Sequence, residues 1–391
     1  MNNNLKLKVA RTFVQKKRDK EDFDTPTLKH IAKKAGVSFQ TVSHALNNTG
    51  RVSEKTRDVI GKIVSEIHYT PNAIARGLKV KTTKTLGIIF PCIYDNEFYA
   101  GIYRGIEDVL LAYDYNIILC NTDFEIDRET KYLRLLQEKR VDGVVLAPAI
   151  GDFNVYENSE LIRNITSRIP VILVDRYVKD VEADYVGYDN LGGAHEAVEH
   201  LIKLGHKRIG CIVGPKSTAA LERLEGYKKA LKQYGIAYDE ELVRWFEHPT
   251  KYQHAVTKPE GYYCARELIR KNNPPTGIFA VNDTEAIAVM KALDEERLRV
   301  PKDIAVVGYE DMRIASHLSV SLTTVRQDLT KMGAGVAEIF LKRMSGECTN
   351  EAIKVIIPNH LVVRESCGSQ LVNRDIGLGQ NSPGKEVEVE R

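Results

Sequence analysis

Thr27–Leu46 reads TLKHIAKKAGVSFQTVSHAL, the pattern of two short helices joined by a tight turn. Leu28, Ile31, Ala32 and Ala35 recur at i, i+3, i+4 and i+7, which lines up one apolar stripe on a helix. Gly36 and Val37 make the turn, glycine supplying the backbone conformation that ends a helix. Ser38 stands where it caps a second helix, Phe39–Leu46, whose Val42, Ala45 and Leu46 pack back on the first. Phe39, Gln40, Thr41, Ser43 and His44 are then expected to face outward. Gln, Ser, Thr and His can hydrogen-bond base edges in a DNA major groove, so the hairpin is a candidate DNA-reading unit. An ordinary helical hairpin with a polar face is the competing reading.

The residues that follow, to about 84, favour DNA. Val52, Val59, Ile63 and Ile67 mark a third helix from about Ser53, and Tyr69-Thr70-Pro71-Asn72 ends it. Ala73–Lys79 is a short helix-like run weakened by Gly77; a helix of that length is marginal alone and is a segment DNA could order. Residues 1–84 hold 18 Lys and Arg against 7 Asp and Glu, while the remainder holds 38 against 46. The overall charge of +3 therefore hides a basic head on an acidic body. Lys29, Lys33, Lys34, Arg51, Lys55, Arg57, Arg76, Lys79 and Lys81 are candidate phosphate contacts, giving salt-sensitive affinity independent of base sequence.

The succession AKKAGVSFQTVSHALN, VSEKTR and then Tyr69, Pro71-Asn72 and Ile74–Lys79 resembles the lactose-repressor/galactose-repressor (LacI/GalR-type) family of bacterial transcription regulators, over about Thr25 to Ser366. The resemblance implies that Phe39, Gln40 and His44 open or line a recognition helix. It also implies a hinge helix at Asn72–Lys79 that enters the minor groove as a dimer, with Leu78 prying a base step apart. An apolar wedge of this kind unstacks a flexible step, and the bend brings more protein onto DNA. Many members carry Arg where this chain has His44. The candidate DNA-binding residues are Thr27, Ser38, Phe39, Gln40, Thr41, Ser43, His44, Asn47, Arg51, Thr56, Tyr69, Asn72, Ala75, Arg76 and Leu78.

A chain of 391 residues has room for two or three domains. No run of about 18 apolar residues is present to span a membrane, and the basic start has no apolar core of signal-peptide length. Residues 1–24 read as a disordered basic arm and 367–391 as a disordered tail. Cys92, Cys120, Cys211, Cys264, Cys348 and Cys367 show no metal or redox spacing, as expected of reduced thiols in a cytoplasmic protein. From Lys84 short apolar runs alternate with helical stretches. The strands are read at Leu86–Phe90, Asn116–Cys120, Gly143–Ala147, Val171–Val174, Arg208–Val213, Leu242–Phe246, Gly277–Val281 and Ile304–Gly308. Two sets of such units predict two doubly wound α/β lobes with parallel sheets.

The resemblance implies a periplasmic-binding-protein-like core whose chain crosses between lobes three times. The expected division is a helix-turn-helix domain at 25–70, hinge helix and linker at 71–83, and a core at 84–366. Lobe one takes 84–187 and 323–347, lobe two 188–322 and 348–366. Ligands of such sheets sit beyond the carboxyl ends of the strands, here between the lobes. Asp175-Arg176 and Asn282-Asp283 end strands, and Arg223 opens a helix; carboxylates and guanidinium groups suit vicinal hydroxyls. Phe98, Tyr99, Trp245 and Phe246 could cover a sugar face or stack on a base. The candidate effector set is these nine and Gln327. Asp283 as a dipole-stabilised helix start and Asp175–Arg176 as a structural pair are the alternatives.

Nothing points to catalysis, a cofactor or a metal. Gly333-Ala334-Gly335 lacks a third glycine and reads as helix packing, and the His195, Glu199, His200 spacing matches no zinc motif. The expectation is an allosteric regulator, a repressor, binding double-stranded pseudo-palindromic operator DNA as a homodimer or larger assembly. A small-molecule effector, a sugar, would shift operator affinity by about 1–3 kcal/mol through lobe motion. A purine, or a phosphorylated carrier protein on the outer surface, are the alternative signals. Glu247–Pro259 is longer than the family's usual linker.

Overall fold

The computed structural model describes residues 27–47, 49–67, 69, 82–93, 97–149, 156–246, 259–347 and 351–370. Candidates Asn72, Ala75, Arg76 and Leu78, the hinge helix, the 1–24 arm and the 247–258 stretch lie outside them. The chain divides into two compact units, residues 1–81 and 82–391.

In the first unit, α1 (Leu28–Ala35), α2 (Phe39–Leu46) and α3 (Glu54–Glu66) each begin at a hydroxyl. Thr27 accepts from the His30 amide at 3.4 Å, Ser38 from Thr41 at 3.0 Å and Ser53 from Thr56 at 3.2 Å. These caps satisfy amides that have no partner inside their own helix. Gly36, at φ 66°, ends α1 in the left-handed region. Eight-residue helices do not stand alone; burial of Ile31, Val42, Ala45, Ile60 and Ile63 in a shared core holds the three together.

The second unit is built from two six-stranded sheets. The first receives β1 (Thr85–Phe90), β2 (Asn116–Asn121), β3 (Gly143–Leu146), β4 (Val171–Val174) and β5 (Asp184–Tyr188), with α4 (Glu97–Leu111), α5 (Ile126–Lys139) and α6 (Ser159–Thr166) between them. The chain then passes into α7 (Asn190–Lys203), β6 (Ile209–Val213), α8 (Thr218–Gln233), β7 (Val243–Trp245), α9 (Glu260–Ile269), β8 (Gly277–Ala280), α10 (Asp283–Glu295), β9 (Ala305–Glu310) and β10 (Thr323–Arg326). It returns as α11 (Leu329–Ser345) and β11 (Lys354–Ile357) to the first lobe and ends with β12 (His360–Val362) in the second. The sheet orders are β11-β5-β4-β3-β1-β2 and β12-β10-β9-β8-β6-β7. All pairs are parallel except β10 with β12. Strands covered by helices on both faces bury every residue, as β3, β4, β6 and β8 do.

The expected lobe boundaries move. Thr323–Arg326 pairs with β9 in the second sheet, so lobe one resumes after residue 326 rather than at 323. Lys354–Ile357 pairs with β5 in the first sheet, so the last crossing falls at 358–359 rather than 347. Both assignments rest on backbone pairing across more than a hundred residues or on neighbouring strands of the far sheet, which local pattern does not encode. Cys367 is buried in the second lobe's core, so the folded region runs past 366.

Helix α11 seats on α4 through glycines. A Cβ at Gly333 would lie 2.1 Å from the Ile102 carbonyl, and one at Gly105 2.2 Å from that of Thr330. Bare Cα atoms allow this approach, so the Gly-Ala-Gly run is a helix contact. Besides the crossings, the lobes touch where the Tyr177 amide donates to Thr218 at 3.3 Å and its hydroxyl to Glu222 at 3.3 Å. On another side the Arg313 amide donates to Glu97 at 3.2 Å.

Candidate functional site

On the helical head the exposed edge of α2 is narrower than expected. Phe39, 51% exposed, and Gln40 stand out from its first turn. Thr41 is half-buried and its hydroxyl lies 2.9 Å from Ser38 Oγ, inside the cap. Ser43, expected to face DNA, is buried at 8% exposure, and the Asn47 amide group donates to its carbonyl at 2.8 Å. The residue follows Val42 on the border of the packed stripe, and Asn47 lies across it. His44 is half-buried, its Nδ1 3.1 Å from Thr49 Oγ1.

The basic candidates also separate. Arg57 donates to the Ala45 carbonyl at 3.1 Å and so joins α3 to α2, and Lys34 pairs with Glu66 at 3.0 Å. Lys29, Lys33, Arg51 and Lys55 are exposed. Thr27 and Thr56 sit at the starts of α1 and α3, and Tyr69 is half-buried against the head's core. What remains exposed is Phe39 and Gln40 on α2, with four lysines and arginines elsewhere on the head able to hold phosphates and the Gln40 amide able to meet a base edge.

Between the lobes, Asp175 stands just past β4 in a left-handed conformation, φ 64°. Its carboxylate accepts from Tyr99 at 2.9 Å and from Arg176 Nε at 3.2 Å, and Arg176 Nη2 donates to the Tyr99 hydroxyl at 2.6 Å. The buried triad is the structural pair with an aromatic added. Burial raises the Tyr99 phenol well above its usual range, so it stays protonated and donates. Phe98, expected to cover a ligand, lies in the lobe-one core, edge-on to Tyr99 at 5.1 Å. Its place on the inner face of α4 turns it to the sheet.

In lobe two, Arg223 donates to Asn190 at 3.0 Å and to the Val281 carbonyl at 2.6 Å. Its guanidinium lies 3.9 Å from the centre of the Tyr309 ring. Asn282 caps α10 through Glu285 at 2.9 Å. Asp283, expected to contact the effector, has no exposed surface and accepts from Thr324 and from the Met312 amide. Burial pushes its carboxyl up to about 7. Trp245, 39% exposed, stands on the edge strand β7, whereas Phe246 packs partly into the lobe-two core.

Gln327 lies on the second crossing. It is buried, and both ends of its amide lack a partner among the described residues, as does the buried hydroxyl of Tyr188 at the first crossing. Sequence reasoning missed Glu310, which ends β9 at φ 105°. The Arg223 guanidinium and the Asp283 and Asp175 carboxylates act on it from both lobes, and desolvation pushes its carboxyl up to about 8. Its signal was available: an acid at the carboxyl end of an apolar parallel strand, where such sheets hold ligands. Its neighbour Asp311 is taken by Arg326 at 2.5 Å and Arg364 at 2.6 Å. Beside the triad a groove is lined by Ala149, Tyr156, Arg176 and Tyr177 of one lobe and Lys216, Ser217 and Thr218 of the other.

A basic helical head with an exposed reading edge, joined in one chain to a two-lobed core holding polar groups between its lobes, defines a ligand-sensing DNA-binding regulator. Residues 27–72 match bacterial regulatory proteins of the lacI family, and 198–367 match a periplasmic binding protein-like domain. The HTH-type transcriptional repressor PurR of Vibrio atlanticus (strain LGP32) is 35% identical over 322 residues, 81% of this chain and 92% of that one. The HTH-type transcriptional regulator DegA of Bacillus subtilis (strain 168) is 33% identical over 342 residues, 87% of this chain and 97% of that one. Among solved structures, a lac repressor dimer bound to operator and the anti-inducer ONPF matches with TM-score 0.75 at 25% identity, covering 88% of this chain and 99% of that one. A complex of the transcriptional regulator CelR with cellobiose matches with TM-score 0.65 at 31% identity, covering 87% and 99%. The chain belongs to the lacI family of bacterial regulatory proteins and is a DNA-binding transcriptional regulator.

Proposed function

We propose that the chain is a repressor without enzymatic activity, working in the cytoplasm as a homodimer on a pseudo-palindromic operator, and that a sugar held between its lobes controls it. The observation that carries the sugar reading is Gln327, a buried amide whose donor and acceptor ends are both unmatched among the described residues. Leaving such groups unpaired is costly, so a partner with both functions is called for. Hydroxyls of a polyol are donor and acceptor at once, and Glu310 and Arg223 add an acceptor and a fork of donors. Of the four aromatics that could stack on a purine, Phe98 and Tyr99 are enclosed by the core, which leaves fewer faces for a base. The similarity to a cellobiose complex and a ribose complex supports the sugar.

Dimer symmetry multiplies the modest specificity of one small head, with half-sites about a helical turn apart. The test is a thermal-shift series on the full-length chain and Gln327→Ala with cellobiose, D-ribose, hexoses and purines. A ligand at about 100 times its Kd stabilises the core by roughly 2.7 kcal/mol. A sugar that raises the wild-type melting point and leaves the variant unmoved supports the reading; a purine doing so replaces it.

A further inference from the structure

The three crossings between the lobes are not equally braced. Gln327 on the second has neither end of its amide partnered among the described residues, whereas Asn359 on the third donates twice through its amide nitrogen and leaves only its oxygen unmatched. Asn359 Nδ2 donates to the carbonyl of Asp189, on the first crossing, at 2.9 Å and to the Tyr309 hydroxyl at 2.8 Å. The Asp189 amide donates in turn to the Ile357 carbonyl at 3.1 Å. The first and third crossings are thus bonded to each other through the Asn359 amide, just beyond the last rung of the β5–β11 pairing. Tyr309 is wholly buried, and its ring carries the Arg223 guanidinium at 3.9 Å.

A continuous path therefore runs from the cleft arginine through one ring and one amide to two of the three connections between lobes. Gly193 on α7 shows how closely it is packed. A Cβ there would lie 2.4 Å from the Tyr309 hydroxyl and 2.8 Å from Asn359 Nδ2. Closely packed interiors transmit displacement because little empty space absorbs it. The Asn359–Tyr309 bond, part-buried against the wholly buried ring, holds these two groups in register.

We propose that Asn359 is a positioning residue for the effector response, holding Tyr309, and through it Arg223, in register with the first and third crossings, so that a ligand moving Arg223 alters the angle between the lobes. The inference rests on the reading of the cleft as an effector site. Its test needs no effector, so a negative ligand screen leaves it standing.

Hydrogen exchange followed by mass spectrometry on the ligand-free, full-length chain compares wild type, Arg223→Lys, Asn359→Asp and the double variant. Each single change is expected to speed exchange about tenfold in peptides covering 186–192 and 355–361, with 143–146 and 209–213 at wild-type rates. The double variant is expected to exchange no faster than either single one, as residues acting through one unit do. A merely structural asparagine would loosen the whole lobe or act independently of Arg223. Wild-type rates at the crossings in Arg223→Lys, or a double variant whose acceleration is the product of the two, overturns the proposal. Should Asn359→Asp fail to fold, Gly193→Ala, which keeps every polar group, takes its place in the cycle, and the same rates support or overturn the proposal.

Discussion

Thr324 donates its hydroxyl to Asp283 at 2.5 Å, and this contact turns an acid expected in the cleft toward the protein interior. The second carboxylate oxygen is taken by the Met312 amide at 2.8 Å. Burial outweighs both bonds and leaves the carboxyl at about 7, above its ordinary 3.8. The folded state therefore holds this proton more tightly than the unfolded one. Its contribution to stability is largest below the ordinary value and is lost as pH rises toward 7, by a few kcal/mol at most. Asp283→Asn keeps an acceptor for Met312 and offers its NH₂ to Thr324. Melting temperatures from about pH 5 to about pH 8 are expected to fall less steeply in the variant than in wild type. Equal slopes would show that Asp283 is ionised throughout.

The apolar parallel strands and the helix-turn-helix were legible because each is specified locally, by runs of Val, Ile and Leu or by a stripe with a glycine stop. The strands DYVGY, TTVR, KVII and HLV were not, being short or polar and defined by partners in distant sequence. The site divides the same way. Arg223 and Gln327 stood out as polar residues where the family places them, but Asp283 was misplaced because Thr324, which claims it, lies 41 residues on. Glu310 was overlooked beside Asp311, since two adjacent acids look alike until the arginines that take one of them are in view.

The head separates a reading residue from a packing one. Gln40→Ala should weaken binding to the specific operator by about 1–3 kcal/mol while leaving non-specific DNA nearly unaffected. Ser43→Ala, inside the packed face, should leave base preference unchanged. Selection of preferred operators from random DNA with each variant decides this. An altered preference in Ser43→Ala alone would mean that the recognition helix is rotated from its position here.

Two arginines near one another in sequence should behave oppositely. Arg51 is exposed, so Arg51→Ala is expected to lower operator affinity and reduce the slope against salt by about one phosphate contact. Arg57 joins α3 to the Ala45 carbonyl, so Arg57→Ala should destabilise the head by about 1–2 kcal/mol. Its salt slope should match wild type once folding is accounted for. Anisotropy titrations at several salt concentrations, with circular dichroism melts, separate the two effects.

The return of the chain to lobe one depends on a buried ion pair. Arg343 on α11 grips Asp184 at the start of β5 through Nε at 2.9 Å and Nη2 at 2.6 Å. The same carboxylate accepts from the Ile353 amide at 2.8 Å, just before β11. One acid thus fixes a helix, an inner strand and an edge strand. Removing it leaves a guanidinium largely out of water with no carboxylate at its Asp184 side, which costs about 3–5 kcal/mol. Asp184→Ala should therefore melt far below wild type, and Asp184→Asn, which keeps an acceptor for the Ile353 amide, should fall between. Exchange should quicken first along 351–357, the strand with one sheet neighbour, before it does so in β3 or β4. If 351–357 keeps wild-type protection while the melting point drops, the loss lies in the α11 contact, and Asp184 plays no part in seating the edge strand.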